Sequence, residues 1–160
     1  MRPLNALVLA ALLFAGCSAR SIAQTPPVAS SADTYVLSPL VALGDYPLDR
    51  DLQACIDADP GTSGVTRCYN EHLKSYEAQL NRNYQRALSL LGPGGASRLQ
   101  SSQSAWENHM EKEFKLIEAQ YQGMEGTQYQ QLIALEKLAL VRARCLQLHM
   151  YAQALAADRE

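Results

Sequence analysis

Three histidines, sixteen carboxylates and four cysteines are the side chains of this 160-residue chain with the reactivity to do chemistry. Their spacing decides which chemistry is open to them. His72, His109 and His149 are scattered. His109 and Glu113 stand one helical turn apart and can share a face, but a di-iron bundle needs Glu-x-x-His pairs on two helices, and none is present. H-E-x-x-H, G-x-S-x-G and a Walker-type G-K-[ST] are all missing, and Gly92-Pro93-Gly94-Gly95 lacks the Lys and Ser/Thr that a phosphate cradle requires. Carboxylates such as Glu111 and Glu113 fit a solvated helix face. The pattern is that of a non-enzymatic protein with no metal and no cofactor.

The first cysteine, Cys17, closes an N-terminal stretch that bears on where the chain works. Arg2 is a positive n-region, and Leu4 to Ala15 is an apolar run broken only by Asn5. That run is too short to span a bilayer and suits a signal-peptide core. Phe14-Ala15-Gly16-Cys17 resembles a bacterial lipobox, in which the Cys17 thiol carries the lipid, although Phe14 stands where an aliphatic residue is usual. The rival is ordinary cleavage at Ser21-Ile22-Ala23, leaving an unanchored periplasmic protein. Both readings predict export.

The predicted organisation is a lipoprotein signal peptide over residues 1–16, a flexible tether over 17–44 and a folded domain over 45–157. The tether contains SARSIAQTPPVASSAD, whose Ser, Ala, Pro and Thr content cannot offset chain entropy by packing. Its last part, Val36 to Leu43, is apolar enough to pack on the domain. Ser18 is not the Asp that resembles an inner-membrane retention signal, so the outer membrane is the expected destination. Without Arg2 the chain has 13 basic residues against its 16 acidic ones, a net of −3. That balance is too mixed for a nucleic-acid partner and compatible with steering toward a cationic one.

These residues must be carried by helices. Asp49 can cap a short helix that stops before Asp59-Pro60-Gly61. From about Ser63 to Leu91 the positions Leu73, Tyr76, Leu80, Tyr84, Ala87 and Leu91 recur at spacings of three and four, one face of a helix. The glycines around Pro93 break it, and Ser97 with Gln100 forms a capping box for a third helix. Its stripe is Leu99, Gln103, Trp106, Met110, Phe114, Ile117 and Tyr121. Gln122 to Gly126 ends it. Thr127 and Gln130 repeat the capping pattern before a last helix with Leu132, Leu135, Leu138, Val141, Cys145, Leu148 and Ala152 inward. Short loops between long helices imply antiparallel neighbours. The expected fold is all-α, a small antiparallel bundle of one short and three long helices.

On that scaffold Cys55 and Cys68 flank the Pro60-Gly61 turn. A disulfide between them would contribute about 3 kcal/mol and would persist outside the cytoplasm; two free thiols are the alternative. Cys145, on the apolar stripe, fits a small buried hydrophobe, with an intermolecular bridge as the sharper possibility.

In order along the chain, Cys55-x12-Cys68, Leu80-Asn81-x2-Tyr84, Gln103-Ser104-Ala105-Trp106, a Gly-containing turn before Thr127 and Arg142-x3-Leu146 resemble the LprI-type lysozyme-inhibitor domain. The resemblance covers about residues 50–150. Two departures stand out. Phe114 and Ala134 occupy the places of a second cysteine pair found in many members. Met110-Glu111 replaces an "R-D" and so loses a cation. Asn81 is expected to bond a neighbouring helix's backbone or to orient Tyr84, Trp106 to fill a helix junction, and Arg142 to pair with a carboxylate such as Glu107 or Glu111 on the facing helix. On this reading Asn81, Tyr84, Gln103, Trp106 and Arg142 mark the fold.

The resemblance implies a cell-envelope binding protein that inhibits lysozyme-type muramidases, held at the membrane by its N-terminal lipid. Lysozymes are commonly cationic and work through a cleft with two carboxylates, so a loop of an acidic bundle can plug it. The candidate loop is Gly123, Met124, Glu125 and Gly126, with Gly92 to Gly95 at the opposite end as the other choice; plain connectors are the bland alternative for both. An immunity lipoprotein against one secreted toxin, or a structural or assembly factor of the envelope, are the other classes the chain admits.

Overall fold

The computed structural model of the protein describes residues 43–158, and Cys17, the expected signal peptide and most of the expected tether lie outside them. The described residues fold into four helices: α1 (Pro47–Ala58), α2 (Thr62–Leu90), α3 (Pro93–Gln120) and α4 (Thr127–Ala157). No strand occurs among them. None of the helices among them is long and apolar enough to cross a membrane. The all-α bundle of one short and three long helices is what the periodicity predicts.

Each long helix buries its periodic face. Tyr76, Leu80 and Ala87 of α2 meet Leu135, Leu138, Val141, Cys145, Leu148 and Ala152 of α4 in one core. The α2–α4 seam is the main interface. Asn83 lies against Cys145, and further along Leu91 lies near Leu155, so these two helices run parallel. The long connection that this requires is α3, which returns antiparallel to both: Gln103 bonds Arg144 and Glu118 pairs with Lys137.

The helix starts differ from the expected caps. Ser97 and Gln100 lie inside α3, which begins at Pro93 with Gly92 as its N-cap. A proline at the first helical position gives up only an N–H that has no partner there, so the Gly-Pro stretch opens α3 as well as closing α2. α4 does begin at Thr127, but Gly126 is its N-cap and no side chain caps it. Gly126 (φ 124°) and Gly123 (φ 81°) hold the α3–α4 turn in backbone regions that a side chain disfavours.

Asp49 does not cap α1 either. Tyr46 is the N-cap, Pro47 opens the helix, and Asp49 is buried in its first turn. The chain leading in is part of the fold: Leu43 packs against the core, and the Gly44 N–H donates to Asp49 Oδ2 at 2.9 Å.

α1 lies antiparallel along the first half of α2, tied to it by the Cys55–Cys68 disulfide (Cα–Cα 5.9 Å). Its return turn leaves no room at Gly64. A Cβ there would overlap the Asp59 carbonyl oxygen and carboxyl carbon. Cys145 is fully buried at the α2–α4 seam, where burial pushes its thiol pKa up. Of Phe114 and Ala134, in the places of the second cysteine pair of the resembling pattern, Ala134 is in the core and Phe114, half-buried, packs against it, with the Lys137 ammonium 5.2 Å from the Phe114 ring centre.

Candidate functional site

Spacings of three and four residues put side chains on one face of a helix. On α2 they align Glu77, Leu80, Asn81 and Tyr84; on α3 they align Gln103, Trp106, Glu107, Met110 and Glu111. The antiparallel crossing sets these two rows against each other, and Val141 of α4 closes the floor. The result is an open groove of about 430 Å³. Four of the five expected marker residues, Asn81, Tyr84, Gln103 and Trp106, line it together. The fifth, Arg142, does not.

Gln103 anchors the α3 wall. It is buried, accepts from Arg144 Nε at 3.1 Å and donates to Glu107 Oε1 at 3.0 Å. Arg144 is also buried. Its other nitrogens donate to Ser102 Oγ at 3.3 Å and Gln147 Oε1 at 2.6 Å, and its guanidinium lies 5.9 Å from the Trp106 ring centre. Burial lowers the Arg144 pKa, and the charge of Glu107 works against that. Trp106 is thus held from behind by a cation and only half-buried in front, toward the groove. It does not fill a closed junction, as its stripe position suggested. Periodicity marks Trp106 as inward but cannot say how closely α2 and α3 approach.

Glu77 and Glu111 form the exposed rim and make no hydrogen bond or ion pair among the described residues. Met110 stands where the resembling pattern has its cation, and Glu111 where it has its acid. The lining has three carboxylates, no basic residue and a floor of Leu80, Tyr84, Trp106, Met110 and Val141. It has no Ser, Cys or His. It is suited to holding a cation by charge and contact. Among the described residues no group of three or more His, Cys, Asp or Glu is arranged to hold a metal.

Arg142 occupies a separate polar centre under α1. Its Nε and one terminal nitrogen donate to the two Asp49 oxygens at 2.7 and 2.5 Å, and the Tyr76 hydroxyl donates to the same carboxylate. Its partner is therefore neither Glu107 nor Glu111. An ion pair needs a carboxylate within reach, and only the packing of α1 onto α4 brings Asp49 there. Burial pushes the Asp49 pKa up, but the bonds from Arg142, Tyr76 and the Gly44 N–H outweigh it and hold the carboxyl below its usual value. The Asp49 bond raises the Arg142 pKa, and burial together with Asp49 raises that of Tyr76.

Asn81 is exposed, and the bond expected of it is made by Asn83, whose Nδ2 donates to the Cys145 carbonyl at 3.0 Å. Asn83 Oδ1 in turn accepts from Gln79 at 2.9 Å. Two asparagines one residue apart in Asn81-Arg82-Asn83 point to different faces, and only the position of α4 selects between them. Arg144 and Asp49 were likewise missed as buried charges; the only sequence signal is a charged residue beside an apolar stripe.

The loop residues Gly123, Met124, Glu125 and Gly126 are all exposed, with Met124 at 50%. They lie beyond the end of α3, which is itself about 15 Å along the helix axis from Met110.

The family model described as "Lysozyme inhibitor LprI" matches residues 55–148, a span that includes the disulfide, the groove and Arg142. A crystal structure of an uncharacterized protein from Burkholderia thailandensis shares the fold, with a TM-score of 0.65 and 26% sequence identity. The match covers 71% of this chain and 56% of that one. No curated protein matches the sequence. The family model's match over more than half of the sequence shows that this chain belongs to the LprI lysozyme-inhibitor family.

Proposed function

We propose that this protein is a non-enzymatic binding protein of the cell envelope that inhibits lysozyme-type muramidases. The observation that carries the reading is the family match over residues 55–148. The groove supports it chemically. Three carboxylates without a basic neighbour in the lining suit a cationic partner. In this reading the chain is exported and held at the outer membrane through lipid on Cys17, with the residues between Cys17 and Leu43 as a leash. Incorporation of labelled fatty acid that disappears in Cys17→Ser supports the anchor; incorporation unchanged by that substitution removes it.

The function is tested by titrating the oxidised, exported protein into muramidases of several classes while peptidoglycan turbidity is followed. Saturable inhibition of one class at near-stoichiometric protein is expected. A folded protein with its disulfide intact that inhibits none of them would reduce family membership to a statement about fold.

A further inference from the structure

The inhibitor reading leaves open which surface meets the enzyme. We propose that the groove between α2 and α3 seats an arginine or lysine side chain of a cationic protein partner. The cation sits at the Glu77 and Glu111 rim, and its alkyl stem lies on Tyr84, Trp106 and Met110. That the partner is a lysozyme rests on the proposed function; the chemistry of the groove does not.

Four observations lead there. The groove is open, and its volume of about 430 Å³ lies within the range of sites that hold small ligands or one or two long side chains. Its floor is apolar and aromatic, the surface on which the stem of Lys or Arg packs while its head stays near water. Its carboxylates are not all committed. Glu107 is engaged by Gln103 and offsets the buried charge of Arg144, whereas Glu77 and Glu111 have no partner among the described residues. Finally, other carboxylates of the bundle are already engaged. The Asp49 carboxylate is consumed by Arg142, and Glu118 at the far end of α3 by Lys137. An incoming cation thus finds two unengaged carboxylates, one on each wall of a groove with an aromatic floor. The Arg144 guanidinium stands 5.9 Å from the centre of the Trp106 ring that would receive the stem.

Two exposed rim residues without partners can be changed with little effect on folding. The test is the double reversal Glu77→Lys/Glu111→Lys, with Asp45→Lys/Asp51→Lys as a control of equal charge change on exposed residues at and before α1. Circular dichroism verifies the fold of each. Against a lysozyme inhibited by the parent protein, the groove variant is expected to need at least ten times more protein for half-inhibition, and the control less than twice as much. Equal inhibition by parent and groove variant, or equal weakening by both variants, overturns the groove and leaves the inhibitor reading standing.

A second readout separates the two. Trp106 is the chain's single tryptophan, so its emission reports on the groove when a tryptophan-free hexa-arginine peptide is titrated in. A saturable change that vanishes in Glu77→Lys/Glu111→Lys supports the cation seat even if no muramidase is inhibited. No saturable change, or one that persists in that variant, overturns it.

Discussion

At the scale of single residues, the Asp49–Arg142 pair shows how a motif residue can matter without touching a ligand. Both oxygens of a buried carboxylate are matched by two nitrogens of one guanidinium, and Tyr76 adds a third bond. Breaking a buried pair costs more than the pair itself is worth, because the remaining charge is stranded. Arg142→Ala should therefore destabilise the protein by about 3–5 kcal/mol, read as a lower urea midpoint. Arg142→Lys should lose less, since it keeps the charge but not the two-pronged geometry. The same pair sets the acid limit. Asp49 has a folded pKa below its usual value of 3.8, so between the two values the unfolded chain binds more protons than the native one. Its stabilisation is complete above the unfolded pKa and is lost as pH falls through the folded one. The urea midpoint should drop on acidification below about pH 4, and Asp49→Asn, already weakened at neutral pH, should show a shallower drop. An equal slope in both proteins would mean that other carboxylates govern acid unfolding.

At the scale of elements, α1 is the part most dependent on fine fit. Twelve residues cannot form a stable helix alone, and this one is held by a disulfide, a buried ion pair and a turn that passes directly over Gly64. Gly64→Ala is expected to cost about 1–3 kcal/mol, the usual cost of overpacking. Helix propensity alone would have made it stabilising. Because the Asp59 carbonyl oxygen is struck as well as the Asp59 side chain, a side-chain rotation alone cannot relieve it. A thermal midpoint equal to or above the parent's would show that the α1–α2 turn yields freely. The expected Ser97 cap failed for a related reason. Glycine and proline argue for a break, but proline at N1 also suits a start, and which applies depends on where α3 must begin to reach back along α2.

At the scale of the whole molecule, the helices are not equals. α2 and α4 each bury eight residues, whereas α3 buries only Leu99, Gln103 and Ile117 over its 28. The parallel α2–α4 pair is the trunk, and α3 lies on it lightly enough to leave the groove open. Sparse burial predicts low local stability. Amides of α3 should exchange with solvent faster than those of α2 and α4, measured by hydrogen–deuterium exchange under native conditions. Uniform protection across the three would mean that α3 is bound as firmly as the trunk. Saturating a cationic partner should slow exchange around Gln103 to Glu111 if the groove is where it binds.

By itself the sequence determined the four helices and the disulfide-capable hairpin. Spacings of three and four, with Gly and Pro between them, act over distances no longer than a helical turn and need no tertiary information. The markers that identify the family were legible for the same reason, being short patterns in order. The tertiary structure decided which partner each polar residue takes. Asn83 rather than Asn81, Asp49 rather than Glu107 or Glu111, and Arg144 behind Trp106 all depend on where α1 and α4 lie relative to α2. That placement is set by the packing of whole helix faces, and no local spacing encodes it. The groove arises in the same way, since its two walls lie about 20 to 30 residues apart in the chain and meet only because α3 turns back.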